Sequence, residues 1–229
     1  MILNDHSDEG VVFLQVHLGG DRNFSYVLGD RASGKAAVVD PGFDPDTLAE
    51  LASDQGLDVV AVLITHGHSD HIGGAGRLME LTGAGLWAGA GSSVPGAEHL
   101  ADGQILSLGD NPIEALKTPG HSTGHFCFLC AGRLCTGDLL FCGKVGGSGS
   151  FFPGSSAEQE WESLHRLMEL PDETLVFPGH DYYGGEGEMP HSTIGHERLN
   201  NPFLICPDFA AFVDLKENWA EYKRKHGVR

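Results

Sequence analysis

Apolar and polar residues follow one another along the chain in two different rhythms. Apolar runs and two-residue alternation indicate strands, whereas apolar residues three or four positions apart indicate helices. The first rhythm predicts strands or strand hairpins in segments 11–18, 24–30, 35–42, 58–66, 103–121, 125–141 and 173–180. The second rhythm predicts helices in segments 44–57, 71–83, 155–171 and 207–227. Strands and helices therefore alternate through most of the chain.

The order of these elements predicts the fold class. The first three strands are separated by short turns of Gly, Asp and Ser, which is typical of an antiparallel meander. The continuous apolar run VVAVLI (59–64) indicates a strand that is buried on both faces. We expect an α/β fold in which mixed sheets face each other and helices lie outside. No clear linker interrupts the chain, so we expect a single domain over residues 1–229, with a core of about 11–185 and a C-terminal extension of about 186–229.

The charge of the chain narrows its partners. Fourteen Lys and Arg stand against 32 Asp and Glu, a net charge of −18 at pH 7. Such a field repels a phosphate backbone, so we expect no nucleic-acid partner. Apolar runs stop at about six residues, whereas a membrane-spanning helix needs roughly 20, and segment 1–10 does not resemble a signal peptide. We expect a cytoplasmic protein with no membrane partner, either a monomer or a homodimer.

The cysteines do not suggest a disulfide framework. Their number is odd, and their positions are Cys127, Cys130, Cys135, Cys142 and Cys206. Cys127 and Cys130 form a CxxC, but it lies in an apolar run and has no second CxxC to match it. We interpret these cysteines as small buried strand residues.

Ligand-type residues follow the ends of several predicted strands. The motifs are THGHSDH (65–71), TPGH (118–121), TGD (136–138) and PGH (178–180). If these strand ends share one edge of the fold, seven side chains converge there. They are His66, His68, Asp70, His71, His121, Asp138 and His180.

Imidazole and carboxylate groups are ligands for zinc, iron, manganese or cobalt. Five histidines and two aspartates exceed what one tetrahedral ion uses, so we expect two ions that share a bridging carboxylate. Asp138 stands alone between the later histidines and is the candidate bridge. Two cations would lower the pKa of a shared water and produce a hydroxide nucleophile.

The segments THGHSDHIGG, TPGHSTGH, TGDLLF and FPGHDY occur in the order that is typical of the metallo-β-lactamase superfamily, and the chain resembles that family over about residues 11–185. The resemblance implies a four-layer αββα sandwich with metals at one edge. It implies that His66, His68 and His121 hold the first metal, that Asp70, His71 and His180 hold the second, and that Asp138 bridges them. The turn VVDPG (38–42) resembles the structural aspartate turn of that family, so Asp40 is expected to order the loops beneath the site.

The segment HSTIGHERLNNPF (191–203) resembles one shared by glyoxalase II and the persulfide dioxygenases. The glyoxalase II resemblance implies hydrolysis of a hydroxyacylglutathione-like thioester by a metal-bound hydroxide, with two divalent ions (Zn, or Fe or Mn). Lys144 and Tyr182 would then contact glutathione, and Asp70 would orient the nucleophilic water.

A persulfide dioxygenase is the alternative. That resemblance implies a single Fe(II) held by His66, His121 and Asp138, with open positions for oxygen and sulfur. Asp181 in GHDYYG favours this branch, but the chain lacks the GRTDF stretch that usually follows the TGD aspartate there.

The chain also departs from glyoxalase II. Residues 145–154 look inserted, and Leu204 and Ile205 replace the Arg that follows NPF in that family. We interpret the basic residues at the C-terminus as a solvated helix end rather than a replacement for that Arg. They are Lys216, Lys223, Arg224 and Lys225.

Three further side chains have two possible roles. His125 either supports the ligands from behind or packs at the start of a strand. Phe151 and Phe152 either line an apolar substrate channel or attach their loop to the core.

Overall fold

Two sheets lie face to face, and helices cover the outer face of each. The computed structural model describes residues 2–20, 22–149, 152, 154–182 and 190–228. Within these residues, the first sheet has seven strands in chain order. They are β1 (Ile2–Asp5), β2 (Val11–Gly19), β3 (Asn23–Asp30), β4 (Lys35–Val39), β5 (Asp58–Ile64), β6 (Gly85–Gly89) and β7 (Glu98–Leu100). Strands β1 to β4 pair antiparallel, and β4 to β7 pair parallel.

The second sheet contains six of the described strands, in the order β15-β14-β11-β10-β9-β8. Their bounds are β8 (Gln104–Leu106), β9 (Ile113–Lys117), β10 (Phe126–Cys130), β11 (Arg133–Gly137), β14 (Leu175–Pro178) and β15 (Ser192–Thr193). A separate short hairpin joins β12 (Leu140–Phe141) to β13 (Lys144–Val145). Both sheets are mixed, as the sequence predicts.

The described helices lie on the two outer faces. They are α1 (Pro45–Asp54), α2 (Ser69–Ile72), α3 (Ala75–Thr82), α4 (Ala157–Leu167), α5 (Ile194–Asn200), α6 (Phe209–Glu217) and α7 (Trp219–His226). None of the helices in the described ranges combines the length and apolar character that crossing a membrane requires.

Three apolar layers hold the architecture together. The central layer lies between the sheets and contains Phe13 and Tyr26 from the first sheet and Phe128 from the second. One outer layer packs α1 and α3 on the first sheet, and the other packs α4, α5 and α6 on the second. The expected four-layer αββα sandwich is confirmed. Burial of both faces of each sheet explains why several strands are continuously apolar.

Two predicted helices are each divided in the structure. The helix predicted over 71–83 is broken at Gly73 and Gly74, where α2 ends and α3 begins. A Cβ at Gly74 would collide with the carbonyl oxygen of Pro41, so close backbone packing, together with the low helix propensity of glycine, explains the break. The C-terminal helix is divided at Asn218, whose backbone and side-chain amides both donate to Asp214 O, at 3.0 and 3.1 Å.

Segment 84–102 contains two strands, β6 and β7, that the apolar pattern does not predict. Both strands are short, and β6 begins and ends with glycine. Neither glycine contributes to an apolar periodicity, which explains why the pattern is weak there. Ser156 caps the start of α4, because its side chain accepts a hydrogen bond from Gln159 N at 3.2 Å.

Candidate metal centre

The topology brings four strand ends to one edge of the sandwich. Strands β9 and β11 both run antiparallel to β10, and β14 runs parallel to β11, so these three strands end on the same side. His121, Asp138 and His180 follow those ends. Strand β5 of the facing sheet leads into segment 65–74, and Phe126 N donates to Thr65 O across the gap at 2.8 Å. All seven predicted ligand residues therefore meet at this edge.

One group of side chains has the spacing of a metal site. The Nδ1 atom of His68 lies 2.9 Å from Nε2 of His66 and 3.2 Å from Nε2 of His121. Oδ2 of Asp138 lies 4.0 Å from Nε2 of His66 and 3.7 Å from Nε2 of His121. Nitrogens bound to one tetrahedral zinc at about 2.0–2.1 Å lie roughly 3.3 Å apart. We call these four residues the first cluster.

A second group lies on the other side of Asp138. His180 Nε2 lies 3.3 Å from Oδ2 of Asp70 and 3.3 Å from Oδ2 of Asp138. His71 Nε2 lies 3.6 Å from Oδ2 of Asp70 and 3.4 Å from Oδ1 of Asp138. We call Asp70, His71 and His180 the second cluster. The carboxylate of Asp138 thus faces both clusters, which is the position that the bridging role requires.

Two buried atoms test whether these residues fit a metal. Nε2 of His71 and Oδ1 of Asp138 have no hydrogen-bond partner among the described residues. Buried polar atoms are normally paired, and these two face the same space between the clusters. An imidazole nitrogen and a carboxylate oxygen directed at one point are what a divalent metal binds. The residues therefore fit one.

Asp40 supports both clusters from beneath. Its Oδ2 lies 2.8 Å from His71 Nδ1 and accepts a hydrogen bond from the Thr65 hydroxyl at 2.5 Å, while its Oδ1 accepts from Thr65 N at 2.7 Å. The Thr65 hydroxyl in turn lies 3.0 Å from His66 Nδ1. Asp40 is 3% exposed, so these bonds are shielded from water. They fix the ring orientation of one histidine in each cluster.

The charges in the site keep its two carboxylates ionised, whereas His71 must release a proton before its Nε2 can bind a metal. Burial opposes protonation of His71, yet Asp138 and Asp40 hold the pKa of its imidazole well above the ordinary value. Burial likewise opposes ionisation of Asp138, but the charge of His71 and the hydrogen bond from His180 hold the pKa of that carboxyl well below its usual range. The hydrogen bond from His180 lowers the pKa of Asp70. Both carboxylates are therefore ionised at neutral pH, as metal binding requires.

The two predicted substrate residues lie beside the second cluster. The Tyr182 ring stacks on His180, with centroids 4.8 Å apart and planes 12° apart. The Lys144 ammonium lies 4.7 Å from the centre of the Tyr182 ring. Arg22, which the sequence analysis does not single out, places its guanidinium carbon 5.1 Å from the same centre. One aromatic ring thus separates a metal-cluster histidine from two cations.

A family model for the metallo-beta-lactamase superfamily matches residues 18–180. The chain belongs to this superfamily. The hydroxyacylglutathione hydrolase of Xanthomonas axonopodis pv. citri is 42% identical over 71% of this chain, and the match spans 62% of that relative, less than two thirds of its length. The hydroxyacylglutathione hydrolase of Chromohalobacter salexigens is 35% identical over 80% of this chain and 82% of its own.

A solved structure shares the superfamily fold. The crystal structure of ETHE1 from Myxococcus xanthus has a TM-score of 0.79 and 30% identity, and covers 96% of this chain and 91% of that one. The superfamily, the names of these relatives and the His/Asp clusters together support an enzyme of the hydrolase class that binds divalent metal.

Asn23 is a second residue of the site that the sequence patterns do not indicate. Its Nδ2 donates to Asp70 Oδ2 at 2.9 Å and lies 3.3 Å from Asp70 O. Its backbone forms an isolated bridge with His180. Asn23 therefore holds two members of the second cluster. Nothing in the local sequence signals this role, because Asn23 lies 47 residues from Asp70 in the chain.

The structure gives a role to the motif at 191–203. Oε2 of Glu197 accepts hydrogen bonds from Gly143 N at 2.9 Å and from Asn201 Nδ2 at 2.8 Å. The same amide nitrogen of Asn201 lies 3.2 Å from Lys144 O. Glu197 and Asn201 are fully buried. This segment therefore holds the turn that carries Lys144.

The three side chains with two possible roles have defined positions where the structure describes them. His125 is fully buried and lies behind the first cluster, with its ring 5.4 Å from that of His66 and its Nδ1 3.0 Å from the Thr118 hydroxyl. Phe152 lies beside His121, with ring centroids 5.6 Å apart. Phe151 lies outside the described residues.

The interpretation of the basic C-terminal residues as a solvated helix end is wrong for Lys216. Arg224 and Lys225 are exposed on α7, as a solvated helix end requires. Lys216, however, is 10% exposed, and its ammonium lies 2.5 Å from a carboxylate oxygen of the buried Glu160. A single helix predicted over 207–227 does not reveal which of its faces is covered. Cys127 and Cys130 are buried in β10, as expected, and all five cysteines are free thiols.

Proposed function

We propose that the protein is a metal-dependent hydrolase that cleaves a thioester of the hydroxyacylglutathione type. One observation carries the proposal. The carboxylate of Asp138 lies between two clusters of ligands, and the cations Lys144 and Arg22 lie one aromatic ring away from His180. The names of the two relatives support the substrate class.

The first cluster would hold one metal ion, the second cluster would hold another, and Asp138 would bridge them. A divalent metal in such a site lowers the pKa of a bound water and polarises a carbonyl oxygen. Zinc fits the histidine-rich first cluster, and zinc, iron or manganese fits the second, which has one carboxylate of its own and shares Asp138.

Asp70 is the residue that would orient the attacking water. Its side chain is 35% exposed, whereas Asp138 is 11% exposed, so Asp70 is the more open of the two carboxylates. Asn23 and His180 both contact its Oδ2 atom, which leaves Oδ1 to face a water. The depressed pKa of Asp70 keeps this oxygen an acceptor at neutral pH.

Lys144 and Arg22 would bind the carboxylates of the thiol carrier. The chain has a net charge of −18, so two cations close together are a local exception that suits an anionic group. Both cations lie close to the Tyr182 ring, which would contribute an apolar face to the carrier. The thioester carbonyl would then lie next to Asp138.

The test is to purify the protein without added metal, measure its metal content, and assay it with a hydroxyacyl thioester of glutathione. We expect two metal ions per chain and release of free thiol without oxygen uptake. The corresponding coenzyme A thioester is the control for the carrier. Equal turnover of both thioesters would contradict glutathione as the carrier, and no turnover of either would contradict the hydrolase.

A persulfide dioxygenase is the second candidate. The likeness to ETHE1 is compatible with it, and His66, His121 and Asp138 lie in one cluster, as a two-histidine, one-carboxylate iron site requires. Glutathione persulfide, assayed on the same sample, distinguishes the two. One iron per chain with oxygen consumption would favour the dioxygenase.

A further inference from the structure

Lys216 and Glu160 form a buried ion pair between α6 and α4. Nζ of Lys216 lies 2.5 Å from Oε2 of Glu160, and the two side chains are 10% and 0% exposed. Burial lowers the pKa of the Lys216 ammonium and raises that of the Glu160 carboxyl. Removing two charges from water costs about as much as their attraction returns. The pair therefore contributes little net stability, and its place in the fold needs another reason.

The second acceptor of Lys216 leads to the first cluster. Nζ donates to Gly146 O at 2.7 Å, and the carbonyl of the next residue, Gly147, accepts a hydrogen bond from His121 Nδ1 at 2.8 Å. Gly146 N donates to Leu139 O at 3.1 Å. A Cβ at Gly146 would collide with the carbonyl oxygen of Asp138. The peptide between Gly146 and Gly147 is thus packed between a candidate bridging residue and the ring of His121.

Glu160 lies against the other side of His121. A Cβ at Gly120 would collide with the backbone and side chain of Glu160, so α4 packs directly on the residue that precedes His121. Ser156 N donates to Gly120 O at 2.7 Å and strengthens this contact. The backbone of His121 is therefore held by α4, and its ring is held by Gly147. Lys216 is the side chain that joins these two supports.

We propose that Lys216 is a positioning residue that sets the ring orientation of His121 and thereby the metal affinity of the first cluster. The hydrogen bond from Nδ1 to Gly147 O leaves Nε2 as the nitrogen that faces Asp138, and loss of such an outer contact typically reduces metal affinity by about 10–100-fold. The inference rests on the proposed metal-binding function. It also gives the C-terminal helix α6, which carries Lys216, a role in forming the first cluster.

The experiment compares Lys216→Met with the double variant Glu160→Gln/Lys216→Met. The single variant leaves the Glu160 carboxylate without its cation and destabilises the fold. The double variant replaces the ion pair with two neutral side chains of similar size and restores the stability. Lys225→Met, on an exposed residue of α7, is the matched control.

Zinc affinity is measured by competition with a chromophoric chelator, and thermal stability is measured on the same samples. We expect the tighter of the two zinc-binding steps to weaken by about 10–100-fold in the double variant and not in Lys225→Met. Cobalt substitution, read by visible absorption, should show altered coordination in the double variant. A stable double variant with wild-type zinc affinity and cobalt spectrum would overturn the proposal.

A second result would also overturn it. Lys216 borders a cavity of about 350 Å³ that Lys144 and Trp219 also line. A raised KM for the thioester with unchanged zinc affinity would make Lys216 a substrate contact instead. Failure of the proposed hydrolase function is distinguishable from both results, because the wild-type protein would then show no turnover. The zinc titrations would still compare the metal affinities of the variants.

Discussion

The two ends of the site differ in how they are built. The ligands of the metal end follow four strand ends at one edge of the sandwich, and five of the seven are buried there. The substrate end consists of Tyr182, Arg22 and the β12–β13 hairpin, which carries the half-buried Lys144. The first end needs geometry that does not change during turnover, and a buried strand supplies it. The second end must admit a molecule, so loops suit it.

The difference also concerns which groups hold the functional residues in place. Thr65 directly precedes His66, and Asp40, which supports His71, follows the end of the neighbouring strand β4, 31 residues before that histidine. Lys144 is held by Glu197 and Asn201, which lie more than 50 residues further along the chain. These two supports of the metal end therefore come from adjacent strands of one sheet, whereas the substrate end depends on long-range packing of the C-terminal segment.

The largest effect is expected from Asp138→Ala, which removes the group that the two clusters share. We expect metal content to fall and turnover to drop on the order of 10³-fold, because metal-based charge stabilisation is worth several kcal/mol. Elemental analysis and the thioester assay on one sample measure both. Asp110→Ala, at an exposed position, is the control. Full metal content with full turnover would show that Asp138 is not the bridge.

Asn23→Ala tests whether the two clusters can be separated. Loss of the hydrogen bond to Asp70 should weaken the second metal by about 10–100-fold while the first remains bound. Asn111→Ala is a matched control, because Asn111 donates to Asp30 at 2.6 Å in a comparable bond far from the ligands. Stepwise metal titration measures the effect. Equal weakening of both metals would mean that Asn23 supports the fold rather than one cluster.

Much of the metal end was predictable because its information is local. Segment 65–71 places four ligand-type residues directly after an apolar strand, and this strand-then-ligand order recurs before His121, Asp138 and His180. Parallel and antiparallel pairing then dictates that such strand ends share an edge. Only the pairing partners had to be supplied by the structure.

The missing parts were those that depend on distant contacts. Arg22 directly precedes β3 and Asn23 begins it, and both reach the site because this segment meets His180 and Asp181 of the other sheet. The burial of Lys216 depends on the face that α6 turns toward α4. The break at Gly73 and Gly74 depends on the approach of Pro41. The apolar periodicity of a sequence describes one helix or strand at a time. It therefore cannot predict contacts between segments that are distant in the chain.

Lys144→Ala tests the substrate end alone. We expect KM for the glutathione thioester to rise about tenfold, which corresponds to about 1.4 kcal/mol, with kcat little changed. Metal content should stay at the wild-type level, since Lys144 packs on the rings of Phe141 and Tyr182, which lie between it and His180. Lys35→Ala, at the exposed start of β4, is the control. An unchanged KM would remove Lys144 from the substrate site.

The effect that is smallest at neutral pH concerns His125, which lies behind the first cluster and is fully buried. Burial and the nearby His121 lower its pKa to about 3 from an ordinary value of 6.5. In the unfolded chain, the His125 imidazole therefore binds a proton as the pH falls below 6.5. In the folded chain, the same imidazole remains neutral until about pH 3. Stability from this group is complete above pH 6.5 and is lost as the pH falls toward 3, by up to about 1.4 kcal/mol per unit.

His125→Asn should flatten the dependence of unfolding free energy on pH in that window, measured by denaturant titration at several pH values. His99→Asn, at an exposed position, should leave the slope unchanged. An equally steep slope in His125→Asn would assign the acid sensitivity to the ligand histidines themselves, and the metal end would then carry its own pH limit.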